Sequence, residues 1–98
     1  MDIEVCKSLD GVRENIDRID SEIIRLIAQR GKYVAQAAAF KKSETDVRDS
    51  SRVEAVVQKA RNTAEQYGAD PDLVEAVYRE MISRFIASEM SAYKGDAT

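Results

Sequence analysis

Residues 9–42, LDGVRENIDRIDSEIIRLIAQRGKYVAQAAAFKK, decide the fold. The stretch contains no proline, and its glycines are Gly11, near the start, and Gly31. Apolar side chains recur at Val12, Ile16, Ile19, Ile23, Leu26, Tyr33, Val34, Ala37 and Ala38. That is the i, i+3, i+4 spacing that gathers them on one face of a helix. Ser8 or Asp10 can cap its start, with Glu14 in the first turns. Asp17, Asp20 and Glu22 sit early and Lys32, Lys41 and Lys42 late, which suits the helix dipole. The pattern predicts one long first helix from Leu9 to about Lys42.

Outward from it, Ser43 to Asp49 breaks the period and reads as a short polar loop. Asp49 or Ser50 then caps a second helix with Val53, Val56, Val57, Ala60 and Ala64 on its apolar face, and Gly68 after Tyr67 fits a glycine stop. Asp70-Pro71 is a start signal, aspartate at the cap and proline in the first turn, with Asp72 and Glu75 following. A third helix runs from Pro71 to about Ala92, with Leu73, Val74, Val77, Tyr78, Met81, Ile82, Phe85 and Ile86 inward. Lys94 to Thr98 is expected to fray. No strand alternation and no repeat occurs. The expected fold is all-α: one domain, residues 1–98, of one long and two shorter helices.

Length bears on assembly. A helix of about 33 residues is about 50 Å long. A compact domain of this size is only about 33 Å across. Two helices of about 17 and 22 residues cannot easily cover the whole apolar stripe, whereas a second chain lying antiparallel can, so a homodimer is expected. The alternative is a helix that kinks near Gly31 and folds back in a monomer.

Composition narrows the function. Of 98 residues, 44% are hydrophobic and 34% charged, which suits amphipathic helices with solvated outer faces. The net charge of −3, from 15 basic and 18 acidic residues, favours neither nucleic acid nor an anionic membrane as partner. There is no histidine, hence neither the commonest general base nor the commonest metal ligand. Cys6 is the single cysteine, which points to a reducing compartment and an inert thiol. No apolar run approaches the roughly 20 residues of a membrane span. Met1 to Ser8 lacks the basic and apolar regions of a secretory signal. A cytoplasmic location without metal is the expectation.

Most charges belong on solvated faces, but a few fall in the apolar register. Arg30 lies four residues after Leu26 and four before Val34. Lys41 is eleven residues further on, so on a continuous helix both point within about 20° of one direction, roughly 16 Å apart. A small dianion could sit between them. Arg13 is about 25 Å from Arg30 along the axis and about 100° away in phase, so it suits a site on an antiparallel partner. Glu89 follows Ile82, Phe85 and Ile86 on the inner stripe of the third helix. Arg52 opens the second helix beside Val53, and Asp49 precedes it near the helix start. Each has a bland alternative: snorkelling or salt-bridged arginines, a carboxylate paired with a structural arginine, and tyrosines 33, 67 and 78 that merely pack. The set as a whole points to anion binding.

Several segments then carry a resemblance. They are Val12-Arg13-Glu14-Asn15-Ile16-Asp17-Arg18-Ile19-Asp20, Ala28-Gln29-Arg30, Ala39-Phe40-Lys41 and Val47-Arg48-Asp49-Ser50-Ser51-Arg52-Val53. From about Leu9 to Tyr93 the chain resembles the all-helical chorismate mutases and, within them, the isochorismate–pyruvate lyases of salicylate synthesis. The resemblance implies an intertwined homodimer acting on chorismate or isochorismate. It implies that Arg13, from the neighbouring protomer, and Arg30 grip the two substrate carboxylates, Arg30 bidentately. Lys41 would bond the ether oxygen and a carboxylate. Arg52 would be a further cation, the Asp49 backbone would lie over the site, and Glu89 would donate to the ether oxygen. The rearrangement to prephenate is pericyclic. It uses no nucleophile, base, metal or cofactor, only a compact substrate conformer and positive donors at the ether oxygen. The missing histidines therefore cost nothing.

One departure divides the family expectation. Where typical mutases have a glutamate for the ring hydroxyl, this chain has Val53, as the lyases tend to. The lyases, however, commonly have glutamine where this chain has Glu89. Mutase chemistry is the leading expectation, and isochorismate cleavage to salicylate and pyruvate the alternative. The remaining class is a non-catalytic dimeric helical interaction module, in which Arg13, Arg30 and Lys41 would make ordinary salt bridges.

Overall fold

The computed structural model describes residues 3–96, with side-chain surroundings through Ser91. Its elements are α1 (Leu9–Ala38), α2 (Glu44–Val47), α3 (Ser50–Tyr67) and α4 (Pro71–Asp96), with no strand among the described residues. The three long helices are those expected. Their contacts divide the chain into two compact units, Met1–Tyr33 and Val34–Thr98.

In the first unit, Ser8 caps α1: its Oγ accepts the Gly11 N–H at 3.0 Å and its carbonyl the Val12 N–H at 3.2 Å. The Asn15 amide donates to the Gly11 carbonyl (3.0 Å) and to Cys6 Sγ (3.4 Å), folding the preceding segment back over the helix start. A Cβ on Gly11 would lie 3.3 Å from Ser8 Oγ and 3.6 Å from Cys6 Cβ, so glycine is what lets that segment approach. The helix assignment continues through Gly31 without interruption. No residue of α1 is buried. Ile16, Ile23 and Leu26 are about half exposed, at 50%, 49% and 52%, and Ile24 is 66% exposed.

In the second unit α1 stops at Ala38, four residues short of the expected Lys42. Neither glycine nor proline ends it. The backbone tightens into i→i−3 bonds, Ala39 to Gln36, Phe40 to Ala37 and Lys41 to Ala38. The expected polar loop contains a helical turn, α2. Ser43 caps it by accepting the Asp46 N–H, and Val47, 4% exposed, plugs it against α4. Asp49 caps α3 by accepting the Arg52 N–H at 3.2 Å. Gly68 ends α3 at φ 75°, and the Ala69 N–H returns to the Ala64 carbonyl at 2.8 Å, a left-handed stop open to glycine at little cost. Asp70 begins α4, accepting the Asp72 N–H at 2.9 Å. That helix continues to Asp96, beyond the expected end near Ala92; of the tail expected to fray, Ala97 and Thr98 lie outside the described residues.

Helices α3 and α4 pack against each other, and Val57 and Ala64 of α3 and Ile82 and Met90 of α4 are buried. An ion-pair chain laces the same pair. Arg79 grips Glu54 bidentately (3.0 and 2.9 Å) and Glu75 through Nε (2.7 Å), and Arg61 reaches Glu75 (2.8 Å) and Asp72 (3.0 Å). The Arg79 guanidinium holds the Glu54 carboxyl below its ordinary 4.5, and Arg79 with Arg61 does the same for Glu75. A carboxylate whose pKa is lower in the folded state stabilises above its unfolded value, and the contribution is lost as pH falls through the lowered one. Arg79→Met is therefore expected to lower Tm by a few degrees at neutral pH. In thermal melts taken down a pH series, the gap between variant and parent should close below pH 4.5. A gap that persisted in acid would assign the effect to lost packing of the arginine stem.

Candidate active site

The structure distributes the six candidate residues over both units. Arg13 and Arg30 stand on α1 in the first, Arg13 exposed and Arg30 half-buried. Lys41, Asp49, Arg52 and Glu89 belong to the second. Lys41 is not on a helix, so the eleven-residue phase argument that aligned it with Arg30 does not hold; the tightening after Ala38 turns the chain before Lys41 is reached. The half-buried Lys41 donates from Nζ to the Asp46 carbonyl at 3.2 Å.

Lys41 is close enough to the start of α3 to act on Asp49. The Asp49 carboxyl is held below its ordinary value by the Ser51 hydroxyl (2.7 Å), then by the Arg52 and Ser51 N–H groups and the Lys41 charge. Lys41, Asp49 and the Arg52 backbone thus share one neighbourhood at the α3 N-terminus, where the Asp49 carboxylate takes up the first N–H groups of the helix.

Glu89 stands on α4, half-buried beside Met90. Its Oε2 is buried and has no hydrogen-bond partner among the described residues. A buried oxygen left unpaired is costly, and such groups concentrate where a function demands them. Protonated, Glu89 can donate; ionised, it can only accept.

An open cleft of about 390 Å³ lies between α3 and α4 in the same unit, lined by Arg48, Val53, Arg79, Ile82, Ser83, Ile86 and Ala87. That is within the size range of small-ligand sites. Its wall is largely aliphatic, and Val53 presents no acceptor to it. Lys41, Arg52 and Glu89 are not among its lining. Arg48 and Arg79 were missed by sequence reasoning. Arg48 stands inside a quoted segment, but nothing in spacing separates it from a surface arginine. Arg79 sits on the polar side of its helix and is tied to Glu54 and Glu75.

Residues 12–90 match the chorismate mutase type II family. The chain belongs to that family. Among curated relatives of this mutase family, it is 34% identical over 91 residues to the isochorismate pyruvate lyase of Pseudomonas aeruginosa, covering 93% of this chain and 90% of that protein. It is also 32% identical over 84 residues to the T-protein of Haemophilus influenzae, covering 85% of this chain but 22% of that longer protein. The chain is an enzyme of the chorismate mutase family. No helix among its described residues is long and apolar enough to cross a membrane.

Proposed function

We propose that this protein rearranges chorismate to prephenate as a cytoplasmic homodimer, in a cationic site built from Arg30, Lys41, Asp49, Arg52 and Glu89 of one chain and Arg13 of the other. The observation that carries this reading is the family match over residues 12–90, supported by Lys41 lying near Asp49, which caps α3 at the Arg52 N–H. The unburied apolar stripe of α1 supports the dimer, because half-exposed Ile16, Ile23 and Leu26 gain most from a second chain.

The arginines bind the two carboxylates and hold the substrate in its compact conformer, which supplies the entropic part of catalysis. As the ether C–O bond breaks, charge collects on its oxygen. Lys41 and Glu89 are the groups that meet it, so stabilisation is greatest in the transition state. No proton need leave the substrate, and no group has to act as base.

Isochorismate cleavage to salicylate and pyruvate is the second reading. It is favoured by Val53, which offers no acceptor where the family resemblance implies a glutamate for the chorismate ring hydroxyl, and by similarity to a lyase over nearly the whole chain. Both reactions break the same kind of ether bond, so one set of donors serves either. Incubation with chorismate and, separately, isochorismate, following prephenate, salicylate and pyruvate, decides between them. Prephenate without salicylate establishes the mutase; fast release of salicylate and pyruvate with only weak prephenate formation establishes the lyase. Neither product, from a folded dimer, overturns the catalytic reading.

Substitution tests the place of Glu89 at the ether oxygen. Glu89→Gln keeps a hydrogen-bond donor there and is expected to retain activity, whereas Glu89→Ala is expected to lower kcat by about tenfold or more. An unchanged rate in Glu89→Ala would remove Glu89 from the donor role.

A further inference from the structure

We propose that Asp46 is a positioning residue for Lys41, holding the loop after α1 so that the ammonium is presented in one place. The inference rests on Lys41 being a substrate-binding cation. It starts from three hydrogen bonds that meet on one residue. The Asp46 carboxylate accepts the Lys42 N–H through Oδ2 at 2.9 Å. The Asp46 carbonyl accepts Lys41 Nζ at 3.2 Å. The Asp46 N–H donates to Ser43 Oγ at 3.3 Å.

These bonds close a ring. One end of Asp46 fixes the backbone beside Lys41, and the other fixes the end of its side chain. The ring is anchored at Val47, the next residue, whose side chain is 4% exposed and sits in the α2–α4 packing. The need for such a latch follows from how α1 ends. With the helix finished at Ala38, no regular i→i−4 bond restrains Lys41. A lysine side chain on a four-carbon stem has many rotamers, and a donor that must meet a developing charge works only if it is already in place. Asp46 supplies that restraint from five residues away, and its carboxylate does so through the chain rather than by contact with substrate.

The test uses the full-length protein and compares Asp46→Ala with Asp46→Asn, which keeps an acceptor oxygen for the Lys42 N–H and removes only the charge. By NMR, the Lys42 amide is expected to exchange slowly in the parent and in Asp46→Asn, and about tenfold faster in Asp46→Ala. Relaxation at Lys41 Cε is expected to show an ordered side chain in the first two and a mobile one in Asp46→Ala. On whichever of chorismate or isochorismate is turned over, kcat is expected to fall about tenfold in Asp46→Ala and less than about twofold in Asp46→Asn, since small misplacements of reacting groups are costly. In a Lys41→Ala background, Asp46→Ala is expected to add nothing, because residues acting through one another are not additive. Fast Lys42 exchange in the parent, or an unaltered Lys41 in Asp46→Ala, overturns the proposal whether or not either substrate reacts. Multiplying effects in the double variant overturn it as well. A slow, ordered loop in a protein that converts neither substrate leaves the latch standing and removes the pericyclic reading alone.

Discussion

Lys41→Ala is expected to lower the turnover of chorismate by about 10²–10³-fold, the usual cost of removing one donor from a developing negative charge. The argument runs through geometry and chemistry together. A pericyclic step offers the enzyme no covalent or acid–base route, so its catalytic free energy comes from holding the substrate conformer and from donors at the ether oxygen. Lys41 stands where the chain has left α1, shares the α3 N-terminus with Asp49 and Arg52, and touches the rest of the fold through the Asp46 carbonyl. Truncating it opens no cavity, because its half-buried stem lies outside the Val57–Ile82 core. The circular dichroism spectrum and Tm should therefore match the parent while the rate of chorismate loss collapses. A loss of less than about fivefold would show that the charge is supplied elsewhere. Lys41→Arg is expected to recover little, since a planar guanidinium does not replace a compact ammonium in a shaped site.

Mixing two inactive variants should restore activity. If Arg13 completes the site of the partner chain, Arg13→Ala and Arg30→Ala each disable every site in a homodimer. In a mixed dimer one site takes both lesions and the other takes none. Random re-pairing makes half the dimers mixed, each with one intact site of two, so about a quarter of parental activity is expected after unfolding and refolding an equal mixture. The result depends on chain exchange and on Arg13 crossing the interface, and an assay of the two proteins mixed without refolding provides the baseline. Recovery absent after demonstrated exchange would place Arg13 and Arg30 in the same site of one chain. The starting point for this experiment is the apolar face of α1, on which Ile24 is 66% and Leu26 52% exposed.

Much of this protein was legible in its sequence because the relevant signals are local. Caps act within three or four residues, so Ser8, Asp49 and Asp70-Pro71 announced the helix starts and Gly68 the end of α3. Apolar periodicity marked Val57, Ala64 and Ile82 as inward, and they are buried. The absence of histidine pointed to chemistry by fixed cations, and the spaced motifs around Arg13, Arg30, Lys41 and Arg52 pointed to the family that residues 12–90 match. Packing decided what periodicity could not. The apolar and basic pattern continues to Lys42, yet α1 ends at Ala38, because Ser43 caps a separate turn whose Val47 is buried against α4. That competition moved Lys41 off the helix and made Asp46 its neighbour. Likewise, the register of α3 on α4 determined that Arg79 meets Glu54, twenty-five residues away, and that Val53 faces Ile82 and Ile86 across one cleft. A helix start is written in adjacent residues. Which side chains meet across two helices depends on how their faces settle against each other, and only the folded chain decides that.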